Sequence, residues 1–421
     1  MPHRWHRLAV TLLAAAVLAG GCARAPQALP AGTWRVALQL PGGELPFGLE
    51  VAPAERGAQG HPPVYLLNGP DRILVDEVSV DDNRVTMLMP GFKNRIDATL
   101  EGDLMRGTLT MVKAGATEQK IPLMARRGQA WRFTPPSAAA GAPGGDVSGR
   151  WAVTFVDQDG KTTAAVGEFR QQGAEVTGTF LTPTGDHRFL AGEIRNGTLR
   201  LSKFDGGHPY LYQAKLAADG TLTGTYWAGL AWQETFTARR DETATLGAAE
   251  QATQMKSGAD TLDFRFPDLG GVYVSLRDPF YQGKVVVVAL AGSWCPNCHD
   301  EAAFLAPLYR EYRGRGFEVV SLMFEQFGDF ERAAEATHRF RTRYHIDYAT
   351  LIAGISDKED AATRLPQLNG VFAFPTTIFV DRQGKVRRLH TGFSGPATGE
   401  HYEKLTADFR QTIEQLLAEP R

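Results

Sequence analysis

Three cysteines in 421 residues leave almost no material for structural disulfides. Cys22 lies in an N-terminal segment with the features of a targeting sequence, so Cys295 and Cys298 form the one pair that a mature chain can close internally. An excess of charge is missing too. The 45 Lys and Arg stand against 47 Asp and Glu, for a net charge of −2, and this balance excludes the basic footprint of a nucleic-acid binder. Beyond the N-terminus no apolar run approaches the length of a membrane span.

What the N-terminus does contain is Arg4 and Arg7 followed by an uncharged, mostly apolar run from Leu8 to Gly21, the pattern of a signal peptide over residues 1–21. Leu18-Ala19-Gly20-Gly21-Cys22 resembles a bacterial lipobox, with Ala19 where Leu is commoner. The resemblance implies that Cys22 is lipidated, becomes the mature N-terminus and holds the protein to a lipid bilayer, with residues 22–31 as a tether. The alternative is an ordinary secretory signal containing a cysteine, which would leave an unpaired thiol in an oxidising compartment. Ala23, rather than Asp, follows the cysteine, similar to lipoproteins that diderm bacteria send on to the outer membrane. The expected location is therefore the cell envelope, facing the periplasm.

The chain is long enough for about three domains. Pro135-Pro136-Ser137-Ala138-Ala139-Ala140-Gly141-Ala142-Pro143-Gly144-Gly145 has nothing to bury and reads as a flexible linker over 135–147, and the small and polar stretch 242–259 reads as a second linker. The segments 32–134 and 148–241 look like diverged copies of one unit. One opens with Gly32-Thr33-Trp34-Arg35-Val36 and closes with Ala125-Arg126-Arg127-Gly128; the other opens with Gly149-Arg150-Trp151-Ala152-Val153 and closes with Ala238-Arg239-Arg240-Asp241. Asp82-Asn83-Arg84-Val85 lines up with Arg195-Asn196-Gly197-Thr198-Leu199, and Ala98-Thr99-Leu100 with Ala214-Lys215-Leu216. Short alternating runs broken by Asn-Gly, Asp-Gly and Gly-Gly turns predict antiparallel β-rich domains, barrels or sandwiches. Trp34, Trp151, Trp227 and Trp232 are candidates to line a ligand pocket or simply to fill the cores.

Residues 260–421 read as an α/β domain. Val285 to Leu290 is a continuous, β-branched run of the kind that forms a central strand buried on both faces. It leads into Trp294-Cys295-Pro296-Asn297-Cys298, where strand turns to helix, so Cys295 lies at a helix N-terminus whose N–H groups and dipole favour thiolate. That is the chemistry of disulfide exchange. Pro307 predicts a kink in this helix. Phe317 to Phe324 reads as the next strand, Asp329 to Tyr344 as a helix, Ile378 to Leu389 as a hairpin turning at Asp381-Arg382-Gln383-Gly384, and Tyr402 to Leu417 as the last helix.

The paired motifs Trp294-Cys295-Pro296-Asn297-Cys298 and Phe374-Pro375-Thr376-Thr377-Ile378-Phe379-Val380-Asp381 resemble those of thioredoxin-like proteins, specifically the exported TlpA/ResA-like thiol-disulfide reductases. The resemblance spans about residues 262–419 and implies a thioredoxin-like fold with Cys295 as the exposed nucleophile and Cys298 as the buried resolving thiol. Pro375 would be a cis-proline facing the pair, with Trp294, Phe374 and Thr376 beside the substrate. Glu301 matches an acidic residue that tunes thiol ionisation; the plainer reading is a solvated carboxylate in the first turn of a helix. Ala289 departs from cytoplasmic thioredoxins, which have a buried Asp there, and Glu301 would take its place.

Cys295-Pro296-Asn297-Cys298-His299 also satisfies the C-x-x-C-H pattern for covalent haem, but a haem site does not explain the β-branched strand, Trp294 or the Phe-Pro-Thr-Thr segment. Zinc wants four N or S ligands, and there is no second C-x-x-C. A peroxidase on a related fold would want Thr where Gly292 stands. No cofactor or metal is therefore expected. The expected activity is reduction of disulfides in envelope client proteins, with electrons from a membrane thiol donor. Pro296-Asn297 adds no positive charge beside the nucleophile, which favours reductase over strong oxidase. The other reading is an envelope binding or scaffold lipoprotein whose β-rich domains carry the main activity.

Overall fold

The computed structural model describes residues 29–53, 61–138, 142–246 and 252–420. Cys22, the signal segment and most of the tether lie outside the described residues.

The first β-rich domain is a meander of nine antiparallel strands: Gly32–Leu40, Gly43–Val51, Val64–Asn68, Asp71–Leu74, Glu77–Asp81, Arg84–Leu88, Arg95–Glu101, Leu104–Val112 and Glu118–Arg127 (β1 to β9). They hydrogen-bond in the order β4-β3-β2-β1-β9-β8-β7-β6-β5, so β4 and β5 end as separate edges and the sheet is a half-barrel. Alternation along strands such as β7, where Ile96, Ala98 and Leu100 turn inward, builds its core.

The second domain also has nine strands: Gly149–Val156, Thr162–Gln172, Glu175–Thr182, Gly185–Asp186, Leu190–Arg195, Thr198–Phe204, Pro209–Leu216, Leu222–Ala228 and Trp232–Arg240 (β10 to β18). Here β11 pairs with β12 as well as with β10, from Val166↔Leu181 to Gln172↔Glu175, and eight strands close into a barrel. Closure leaves no open edge, and Phe155, Phe169, Phe180, Tyr212, Tyr226 and Phe236 fill the interior. The two β domains therefore differ in closure, and neither is a sandwich.

They are also fused. Phe204 and Leu211 of the barrel belong to the half-barrel's core, with Phe204 5.0 Å from Phe47. Asn68 stands in for a strand partner: its Nδ2 donates to Phe204 O at 2.8 Å and its Oδ1 accepts from Phe204 N at 3.0 Å. Trp34 and Trp151 are core residues at equivalent places, each donating Nε1–H to the carbonyl four residues earlier, Pro30 and Val147. Trp227 is half-buried, and Trp232 is exposed.

The described parts of the two stretches read as linkers make contacts with the neighbouring domains. Val147 is buried in the barrel core, and Ala142 O and Pro143 O accept from Asn196 N and Gly197 N. Residues 252–259 pack on the third domain: Thr253 is buried, its N–H bonding Thr391 Oγ1, and Lys256 N bonds Gln367 O.

In the third domain a hairpin, Arg265–Pro267 and Tyr273–Ser275 (β19, β20), precedes a five-stranded sheet of Val285–Ala291, Phe317–Glu325, Ala349–Ile355, Thr376–Val380 and Val386–Thr391 (β21 to β25), in the order β23-β22-β21-β24-β25. The pairs β21–β22 and β22–β23 are parallel and the other two antiparallel. Helices Pro296–Tyr312, Phe330–Tyr344, Lys358–Arg364 and Glu400–Ala418 (α1 to α4) complete it. Every residue of β21 and β22 is buried. Helix α1 continues through Pro307 to Tyr312. Among the described residues no helix is long and apolar enough to cross a membrane.

Candidate active site

The central strand β21 delivers the chain to Cys295, which is the N-cap of α1. Its backbone is extended (φ −97°, ψ 113°) and its Sγ accepts from Cys298 N at 3.2 Å, with Pro296 opening the helix. Negative charge on Sγ is therefore met by a backbone N–H and the positive end of the helix. Both thiols are unbonded. Cys295 Sγ also lies 3.3 Å from Phe374 O, and the Phe374–Pro375 peptide is cis.

Cys298 is fully enclosed, and burial first, then the neighbouring Cys295 and the charge of Glu301, holds its thiol well above the usual range. Glu301 is not the solvated carboxylate of the plainer reading. It is 1% exposed, takes a hydrogen bond from Thr377 Oγ1 at 2.5 Å, and burial pushes it up to about 7. Thr377 pairs with Ala289 in the β21–β24 ladder, so the carboxylate reaches the strand position where Ala289 leaves no acid of its own.

Two expectations need correction. Cys295 is not exposed: it is 4% accessible, lying against Phe374 O of its own domain, with barrel residues on Pro296 and Asn297 next to it. Thr376 is fully buried and its hydroxyl bonds Ala373 O at 2.8 Å, so it is turned into its own segment rather than toward a substrate. The Phe374 side chain is buried as well, while its backbone carbonyl faces Cys295 Sγ. Trp294 is half-buried, donating to Phe324 O at 2.8 Å with its ring edge-on to Phe374.

His299 is a packing residue. Its ring stacks on Phe92 of the half-barrel at 4.0 Å, Nε2 lies 2.7 Å from Ser293 O and Nδ1 2.8 Å from Tyr344 OH. Both nitrogens are taken up by hydrogen-bond partners, so the C-x-x-C-H spacing does not present a free ring nitrogen here, and burial holds the ring down at about 3.

Residues 256–405 match the Redoxin family. The chain is 26% identical over 137 residues to the thiol-disulfide oxidoreductase ResA of Halalkalibacterium halodurans, covering 32% of this chain and 69% of that one. To ResA of Geobacillus thermodenitrificans it is 29% identical over 142 residues, covering 34% and 73%. The C-terminal domain is that of a TlpA/ResA-like thiol-disulfide oxidoreductase. A crystal structure of a thioredoxin-family thiol:disulfide interchange protein from Chlorobium tepidum, 18% identical, aligns with 39% of this chain and 100% of that one at a TM-score of 0.30. The Redoxin match begins at 256, so both β domains lie outside it.

Several residues around the site gave no signal in the sequence. Glu325, fully buried, accepts from Ser293 N and Oγ and from Thr337 Oγ1, bracing the turn before Cys295. Asp186 and Arg188 come from the barrel: Asp186 bonds Asn297 between the two cysteines, and Arg188 pairs with Asp300 just after them. A contact more than a hundred residues away in sequence has no local pattern to betray it.

Proposed function

We propose that this protein is an exported reductase that opens disulfides of envelope client proteins through Cys295 and Cys298, fed by a membrane thiol donor and held to the bilayer by lipidated Cys22. The observation that carries the redox part is Cys295 Sγ at the N-cap of α1, hydrogen-bonded by Cys298 N and facing Phe374-Pro375. Thiolate Cys295 attacks one sulfur of a substrate disulfide, forming a mixed disulfide and releasing the other sulfur as a thiolate. Cys298, once deprotonated, attacks Cys295 Sγ, which releases the reduced substrate and leaves the Cys295–Cys298 disulfide. Glu301, titrating near 7 beside a thiol that resists ionisation, is suited to tune that second step.

The test is the order of the steps. Cys298→Ser accumulates mixed disulfides with the client, and Cys295→Ser traps far less; equal trapping by the two variants refutes the roles. We also propose that the β domains arose by duplication, a reading supported by shared register: Trp34↔Arg127 matches Trp151↔Arg240, and Ala98↔Gly107 matches Ala214↔Gly224. One feature favours the alternative reading as a binding module, a cleft of about 520 Å³ between the β domains with Trp131, Arg132, Thr177 and Glu193 in its walls.

A further inference from the structure

Disulfide exchange requires a substrate sulfur to approach the attacking thiol in line with the bond it breaks, yet Cys295 is 4% exposed. Part of what covers this end of α1 is the barrel. At β13 the Asp186 carboxylate accepts from Asn297 Nδ2 at 2.9 Å and from Gly395 N at 2.7 Å. Arg188, 14% exposed at its side chain, spans Asp205 of the barrel at 3.2 Å and Asp300 of α1 at 2.8 Å. At Gly207 a Cβ would lie 3.1 Å from Pro296 Cγ, so both residues between the cysteines are covered by barrel loops.

We propose that this barrel face is a docked cap, occupying the surface on which a protein disulfide must land, and that exchange with a protein proceeds only after the barrel leaves α1. The contacts suit reversible separation. The hydrogen bonds of Asp186 and the Arg188–Asp300 ion pair, made alongside the Gly207–Pro296 packing, are contacts that water can replace, and Asp300 Oδ2, buried at the junction, has no hydrogen-bond partner. A closed state with an unsatisfied buried carboxylate oxygen gives back free energy when it opens.

The proposal rests on Cys295 as the attacking thiol, but its test measures access rather than exchange. In reduced full-length protein carrying Cys298→Ser, the rate of iodoacetamide alkylation is followed on the Cys295 peptide by mass spectrometry. Arg188→Ala removes the ion pair to Asp300 across the junction, together with the Asp205 pair inside the barrel, and is expected to raise the rate about tenfold or more. Gly207→Val, whose Cβ would lie 2.7 Å from the Phe92 ring and 3.1 Å from Pro296 Cγ, wedges the junction of both β domains with α1 and is expected to do the same without altering charge. Arg127→Ala, which breaks an exposed pair with Asp103 in the half-barrel, leaves the rate unchanged. Circular dichroism checks that each variant is folded. Rates unchanged in both folded interface variants, or a parent rate already equal to that of a free cysteine peptide, overturn the cap. Gated alkylation with no client trapping would instead overturn the redox roles and leave the cap standing.

Discussion

Glu301→Gln separates a tuned carboxylate from a merely buried one. The unfolded chain gives up this proton near the ordinary 4.5 and the folded chain near 7. Between those values the unfolded state binds fewer protons, so the Glu301 contribution to stability is fully favourable below about 4.5 and falls as pH rises through about 7. The gap of about 2.5 pH units, at about 1.4 kcal/mol each, amounts to about 3 kcal/mol lost by alkaline pH. Gln keeps the shape and can still accept from Thr377 Oγ1, but it cannot ionise. The variant should therefore match the parent near pH 4.5 and exceed it by about 3 kcal/mol, to order of magnitude, at pH 8.5. Hydrogen exchange of β21 amides reads this domain's own opening free energy without assuming that the three domains unfold together. In the same variant the loss of a negative charge beside Cys298 should shift the pH profile of Cys298 alkylation toward lower pH, because that charge is one of the causes holding the thiol up. A stability difference independent of pH together with an unchanged alkylation profile would refute the tuning role.

Two further outcomes are expected. Intact-mass analysis of the mature protein from a membrane fraction should find the chain starting at an acylated Cys22, and an unmodified Cys22 or a different mature start rules out the anchor. Asn68→Ala strands the buried Phe204 N–H and C=O, which should cost about 2 kcal/mol or more and lower the thermal midpoint; an unchanged midpoint would mean that Asn68 does not hold the β domains together.

The sequence was most legible where structure is local. A β-branched run, the cysteine pair behind it and a turn at Asp381-Arg382-Gln383-Gly384 located β21, the N-cap of α1 and the β24–β25 hairpin, because each depends on neighbours within a few residues. Strand β23 and helix α3 escaped notice, the first being a short apolar run and the second only seven residues long. Closure of one β domain and not the other was illegible for a deeper reason. Alternation tells which face of a strand is buried, but not which partner the strand meets. Only the pairing of β11 with β12 makes the barrel, while in the half-barrel β3 turns back through Asn68-Gly69-Pro70-Asp71 into the short edge strand β4.

The same limit explains why the surroundings of the residues just after the cysteines were not legible in the sequence. The C-x-x-C-H spacing at His299 is outweighed as a haem signal by its flanking segments, and Glu301 reads as tuning the thiols, with a solvated carboxylate as the plainer alternative, but neither pattern tells what encloses the turn. In this protein that turn is enclosed from three directions: His299 by Phe92 of the half-barrel, Asp300 by Arg188 of the barrel, and Glu301 by Thr377 of its own sheet. Burial raises Asp300 to about 7 and lowers His299 to about 3, and in both cases residues of the β domains form part of the enclosure. Asp300 bears this out: lifting the barrel away would rehydrate its carboxyl and remove Arg188, two changes that act on its proton in opposite directions. The electrostatic setting of His299 and Asp300, the two residues that follow the thiol pair, is therefore a property of all three domains together, and an isolated Redoxin segment would present them in a different environment.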